Sequence, residues 1–357
     1  IKLPITGGGT SLYIDWGDGS IIEHATSEFP SHTFAKAGRY NISVWGSFWS
    51  WGVPDNVSDI AESDDYYTST IYITGLVRWG ELGVSKYSFS QCKNLKYVLN
   101  DATEHTFDNV TSVFGMFDSC QNLEMVNLSG LKFNNVTIYI RMFDGCENLQ
   151  QIKMSSETSM PKARNVIAMF RNCKKLGTID LSALDITNVA NMTSMFEGCE
   201  FLTSLNLSGF NTANATTLEN MFYDCSNLQN ITFGTNFNAS KVTNMKNMFA
   251  GCKKLESLDL TNFNTLAAVN MNGMFNSCSS LKTLNLGNNF NTSNVTDMAY
   301  MFNGCESLES LDLTSFDTAK VTDMSSMLQG CSSLTSLDLT SFDTSSVSNM
   351  SYMLNAA

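Results

Sequence analysis

From about Cys92 to the C-terminus, apolar and polar positions recur in one fixed order, clearest in Asn294 to Phe316, NVTDMAYMFNGCESLESLDLTSF. Val295, Met298, Met301, Phe302 and Cys305 are spaced i, i+3, i+6, i+7 and i+10. At about 100° per residue they fall within an arc of roughly 120°, which predicts one apolar stripe on a short helix. The stripe repeats as Val189, Met192, Met195, Phe196, Cys199 and as Val242, Met245, Met248, Phe249, Cys252. Asn294 followed by Asp297 reads as a helix N-cap with its acidic partner, and glycine before cysteine (Gly198, Gly251, Gly304, Gly330) reads as a helix end. After each cysteine the period changes to two. Leu311 and Leu313 alternate with Ser310, Asp312 and Thr314, which predicts a strand with leucines on one face and small polar residues on the other.

The cysteines set the period. Cys92, Cys120, Cys146, Cys173, Cys199, Cys225, Cys252, Cys278, Cys305 and Cys331 are all the cysteines of the chain, each 26 to 28 residues after the last. A period of this size predicts stacked rungs, each unable to bury its apolar face without its neighbours. Each rung is expected to run as strand, loop with an inward phenylalanine (Phe210, Phe237, Phe263, Phe290, Phe316, Phe342), short helix and turn.

The pattern N-V-T-x-M-x-x-M-F-x-G-C-x-x-L-x-x-L-D-L-x-x-F resembles the BspA-type leucine-rich repeat of bacterial surface proteins over roughly three quarters of the chain, in about ten copies. The rung at Met160-Pro161-Lys162-Ala163 departs from it, and the rung around Cys92 carries it faintly. The resemblance implies an α/β solenoid with one strand and one helix per rung, an exported protein at the cell surface or secreted, and a role in adhesion.

All five tryptophans (Trp16, Trp45, Trp49, Trp51, Trp79) precede residue 80, where the solenoid cysteines are absent. Ser11 to Gly19 reads as a strand entering an Asp-Gly turn, and Ala37 to Val44 as a turn and second strand. The pair W-G-D-G and H-T-F-x-x-A-G-x-Y-x-I-x-V resembles PKD-type β-sandwich domains, implying a small all-β domain over residues 1–48. Residues 49–90 are expected to form a linker and the N-terminal cap of the solenoid, and 91–357 the solenoid itself. Ala357 falls inside a helix equivalent, before the expected cysteine, so an open C-terminal end invites end-to-end self-association.

Chemistry narrows the function. A net charge of −13 disfavours nucleic acid and anionic membrane surfaces, and no apolar run reaches the roughly 18 residues of a membrane span. The sequence begins at Ile1 with no Met, basic n-region or h-region, so an export leader is expected to have been removed. One cysteine per rung, without C-x-x-C pairs, predicts a buried reduced column rather than disulfides or metal, because helices of neighbouring rungs would sit about 8 to 10 Å apart. His24, His32 and His105 do not converge with a nucleophile, and no hydrolase, metalloprotease or phosphate-loop motif occurs, so neither catalysis nor a cofactor is expected. Asp15, Asp18 and Glu23, or Asp59, Glu62, Asp64 and Asp65, are candidate calcium ligands, against the plainer reading of turn chemistry and solvated loop. The Asn-x-Ser/Thr sequons arise from the repeat itself.

The candidate surface is the strand face opposite the leucines. Its central column includes Asp180, Asn206, Asp259, Asn285, Asp312 and Asp338, flanked by serines and threonines, with the larger Tyr97 and Met125 near the start. Solenoids bind partners across such extended faces, though outward strand positions also drift to small polar residues through solvation alone. Tyr97 and Met125 read either as a binding hot spot or as a contact with the cap. The expected partner is an extracellular protein or, alternatively, a glycan, for which Trp45, Trp49 and Trp51 are the candidate platform; a spacer without a ligand is the third reading.

Overall fold

The computed structural model describes residues 3, 5–6, 11–26, 30–47, 50–51, 74–76, 88–100, 105–108 and 110–357. Near the N-terminus Ser11–Asp15 pairs antiparallel with both Glu23–Ala25 and Ser43–Ser47. Leu3, Ile14, Trp16 and Ala25 form its small core, flanked by Phe34, Ile42 and Val44. A second, separate apolar core runs from Phe89 to Met353, one layer per rung.

That second unit is a β-solenoid. Short strands stack parallel and in register: Gly75–Leu76, Tyr97–Val98, Met125–Asn127 and Gln151–Lys153 in one sheet, then Ser204–Leu207 on Asn230–Phe233, and Ser257–Asp259 on Thr283–Asn285. A column of single parallel bridges joins equivalent residues from Ser112 through Asn191 and Asn270 to Asn349. Even the divergent rung keeps its place, with Met160 bridged to Leu184 and Ala163 buried.

The helix expected in each rung is not formed; no helix occurs among the described residues. Its apolar stripe is instead a run of tight turns. An α-helix requires every N–H to bond the carbonyl four residues back. Here alternate N–H groups leave the segment altogether: Met298, Tyr300, Phe302 and Gly304 donate to Asp323, Ser325, Met327 and Gln329 of the next rung, at 2.7 to 3.0 Å. The intervening Met301, Asn303 and Cys305 donate three residues back, to Met298, Tyr300 and Phe302, at 3.1 to 3.2 Å. Each rung accordingly holds two left-handed residues four apart, such as Tyr300 (φ 59°) and Gly304 (φ 70°), or Asn247 (54°) and Gly251 (76°). This is the third-position conformation of a type II turn and is forbidden inside a right-handed helix. The glycine before cysteine thus makes a turn, not a helix end. The N-cap reading also fails. Asn294 Nδ2 donates to Leu266 C=O of the preceding rung (2.9 Å), and Asp297 Oδ1 accepts the Ala299 N–H (3.0 Å).

Because parallel strands repeat about every 4.8 Å, identical side chains meet face to face. Nine phenylalanines from Phe89 to Phe302 stack in one column, with ring centroids 5.4 to 5.9 Å apart and planes within 16° of parallel. All ten cysteines are free and buried, but helix spacing is not the reason. From Cys120 onward each Sγ donates to the carbonyl of the phenylalanine of the preceding rung, as Cys305 does to Phe275 at 3.2 Å. The same carbonyl accepts the N–H of its own rung's cysteine (Cys278, 3.2 Å). A carbonyl has two lone pairs, and the thiol is an apolar side chain small enough for this wall that also fills the second. Burial pushes the Cys199 and Cys278 thiols up to about 12, which holds both protonated and poor nucleophiles at neutral pH.

Candidate functional site

The strand face is built from the residues after each cysteine. Leu205, Leu207, Leu258 and Leu260 turn inward and are buried, leaving Asn206 and Asp259 exposed between them. Parallel register then aligns the outward residues: Asn206 lies beside Thr232, and Asp259 beside Asn285. Asp180, Asp312 and Asp338 are likewise exposed at the equivalent position.

These residues are not merely solvated. Wherever this position is one of the six candidate Asn or Asp residues, it accepts, through Oδ1, the N–H two residues ahead: Ser182 to Asp180 (2.9 Å), Ser208 to Asn206 (3.0 Å), Thr261 to Asp259 (3.0 Å), Gly287 to Asn285 (3.2 Å), Thr314 to Asp312 (3.0 Å) and Thr340 to Asp338 (2.9 Å); Lys153 and Thr232 stand there in two other rungs. This Asx turn ends the strand and bends the chain into the loop. One oxygen suffices for it, so Asn and Asp are interchangeable in structure while differing by a full charge. In the last two rungs the threonine hydroxyl adds a second bond, 2.6 Å to Asp312 and 2.7 Å to Asp338. Those hydroxyl bonds, then the N–H bonds, hold both carboxyls below their ordinary range.

Between the rungs of Cys252, Cys278 and Cys305 the face carries a shallow groove of about 250 Å³, lined by Ser257, Leu258, Asp259, Thr283, Leu284, Asn285 and Ser310. Two of the sequence candidates, Asp259 and Asn285, line it together. Asp312 and Asp338 follow along the same column, whereas Asp180 lies several rungs away. Tyr97 and Met125 are direct register neighbours at the other end. The Tyr97 ring lies across Gly75, so closely that a Cβ there would collide with it. Tyr97 thus packs on Gly75 of the neighbouring strand Gly75–Leu76.

The remaining candidates are dispersed. Asp18 bonds His32 (2.8 Å) and Ser20 N–H (3.0 Å), Asp15 bonds Gly17 N–H (2.8 Å), and Glu23 accepts Trp16 Nε1–H (2.9 Å). The Ser20 hydroxyl, followed by His32, lowers the Asp18 carboxyl to about 2. Asp15, Asp18 and Glu23 therefore serve separate partners; no metal-holding group of carboxylates, cysteines or histidines occurs among the described residues. Asp59, Glu62, Asp64, Asp65, Trp49 and the side chains of Trp45 and Trp51 lie outside the described residues. His24 stacks on Tyr13. At the last rung Phe342 is half-buried, where Phe316 of the rung before is covered.

Sequence reasoning missed two features. Asp144, nearly buried, accepts Arg141 Nε–H (2.9 Å) and both nitrogens of Arg171 (2.9 and 2.5 Å), and Arg141 also reaches Asp118 (3.1 Å). Burial raises the Asp118 carboxyl, with Arg141 opposing. The signal was present as Asp118, Asp144, Arg171 and Glu197, each immediately after the column phenylalanine. Second, Lys162, Lys241 and Lys320 donate to Asn135, Asn214 and Asn294 of the rung before, at 2.6 to 2.9 Å. Each asparagine in turn donates to a carbonyl one rung further back, so sequon asparagines at every third rung act as struts.

The model of a family described as "Mycoplasma protein of unknown function, DUF285" matches residues 83–204, 155–257, 202–288 and 281–357. No curated protein matches the chain. Among solved structures, a leucine-rich repeat protein from Bacteroides ovatus is similar over 76% of this chain and 79% of its own, with 20% identity and a TM-score of 0.36. A leucine-rich repeat protein from Eubacterium ventriosum covers 84% and 92%, with 16% identity and a TM-score of 0.33. A leucine rich cell surface protein from Faecalibacterium prausnitzii covers 76% and 83%, with 16% identity and a TM-score of 0.29. At these scores the likeness adds nothing to what the coils themselves display. No described helix is long and apolar enough to cross a membrane.

Proposed function

This chain belongs to the DUF285 family, and from that premise we propose that its solenoid is a non-catalytic scaffold at the cell surface whose strand face binds a protein partner, in adhesion. One observation carries the reading. Each outward Asn or Asp needs a single oxygen to close its turn, so the rest of its chemistry, and that of the flanking Ser and Thr, is left for a ligand without cost to the fold. The buried, protonated cysteines and the dispersed histidines support a binding role over a catalytic one.

The test is steric. Ser257→Trp with Ser310→Trp places two large side chains on exposed positions lining the groove, and binding to an array of extracellular proteins is compared with the parent chain. Loss of binding with an unchanged circular dichroism spectrum supports the strand face. Binding that survives sinks it, and capture of glycans rather than proteins moves recognition away from this reading.

A further inference from the structure

Charge is divided unevenly along the solenoid. Residues 92–251 hold fourteen carboxylates against twelve lysines and arginines, close to balance. Residues 252–357 hold ten carboxylates against four lysines and no arginine. Two of those lysines are already engaged, Lys282 with Glu256 (2.9 Å) and Lys320 with Asn294 (2.6 Å). On the strand face of these rungs the central column is Asp259, Asn285, Asp312 and Asp338, all exposed, and the flanking positions are serine and threonine. No cation stands among the outward strand residues there. The groove lies within this stretch. The exposed Ser257, Asp259, Thr283, Asn285 and Ser310 line it, with the inward-facing Leu258 and Leu284 beneath them.

Exposed carboxylates with no cation among them match a cationic side chain. Lys282 shows the pairing within the chain itself: its ammonium is stabilised by the hydrogen bond to Glu256, then by the charge of Glu256 and, more weakly, of Glu309. A glycan fits less well, since the outward strand positions of these rungs offer no aromatic face. We infer that the outward face of the last four rungs docks an extended protein segment rich in lysine and arginine, its charged heads at Asp259, Asp312 and Asp338. This rests on the strand face being the binding surface and adds the chemistry of its partner.

The sequence provides its own test variant. Asn206 and Asn285 close the same turn as the aspartates, so Asp259→Asn, Asp312→Asn and Asp338→Asn together remove three charges and keep the fold. Anisotropy of a labelled peptide of about twelve residues, alternating lysine and serine, is measured on the full chain at about 50 and about 300 mM salt. The expected result is a loss of about tenfold or more in the triple variant, weaker binding of the parent chain at the higher salt, and no effect of Asp317→Asn, Asp343→Asn and Glu306→Gln, which remove three charges from the same rungs away from the strand face. Equal loss in that second set, or equal binding of a glutamate-serine peptide, overturns the proposal. If the tryptophan pair abolishes capture from the protein array while the aspartate-to-asparagine set leaves peptide binding intact, the binding face stands and the cationic partner falls. If neither set affects its own assay, both readings fall.

Discussion

The two walls of each rung solve the same problem in opposite ways. The turn wall, from Val295 to Cys305 and its equivalents, sends alternate N–H groups to the next rung and fills its interior with stacked Phe, Met and Cys, so almost every atom has a neighbour above and below. The strand wall does the same with its leucines but turns Asp, Asn, Ser and Thr outward, where each needs only one bond. Substitution is therefore costly on the first wall and cheap on the second. A protein built this way can change what it binds while keeping its coil.

The sharpest break of that contrast is Phe249→Ala, which removes one ring from between Phe222 and Phe275. Loss of a fully buried aromatic costs about 3–5 kcal/mol, visible as a lower denaturation midpoint. An exception on the strand wall is Gly287, at φ 69°, where a Cβ would lie 2.6 Å from Thr261 Cα. Gly287→Ala is expected to cost about 2–3 kcal/mol from the left-handed backbone and the displaced rung. A smaller cost falls on Cys225→Ala, about 1–2 kcal/mol, since the sulfur leaves a small void and the Phe196 carbonyl loses one of two donors. Tyr139→Phe runs the other way. The Tyr139 hydroxyl is buried without a partner and burial drives its pKa far up, so removing it is expected to leave stability unchanged or raise it by up to about 1 kcal/mol.

The smallest effect belongs to the strand-wall carboxylates, and it depends on pH. Hydrogen bonds from Thr314 and Thr340 place the folded pKa of Asp312 and Asp338 below the unfolded value, about 3.9. Their contribution is full above that value and disappears as pH falls through the folded pKa. Asp312→Asn with Asp338→Asn should match the parent chain at neutral pH and lose less stability below about pH 4. A large loss at neutral pH in that variant would show that the second oxygen is structural, and the contrast between the walls would not hold.

Much of this was legible in the chain. The 26- to 28-residue cysteine spacing fixed the stacking, and the Leu-x-Leu alternation fixed which strand residues face out, because a period-two pattern has one interpretation once it is anchored to a repeat. The candidate columns followed directly. The secondary structure of the other wall did not, because Val, Met, Met, Phe and Cys at i, i+3, i+6, i+7 and i+10 face one side of a helix and equally one side of a chain that turns every three residues. A distinguishing signal stood in some rungs only, as the pairs four apart Asn220 and Asp224, and Asn247 and Gly251, residues that tolerate positive φ better than most; Arg141, Ala168 and Tyr300 hold the same conformation with no such signal.

Sequence by itself determined the repeat, the buried columns and the polar face, since each follows from periodicity and from the need to keep apolar atoms out of water. Only the tertiary structure decided the rest. Whether an N–H bonds within its own segment or to the rung beside it depends on a neighbour 25 or 26 residues away, so the turn wall, the thiol bonds to phenylalanine carbonyls and the Arg141–Asp144–Arg171 network exist only once the rungs are stacked.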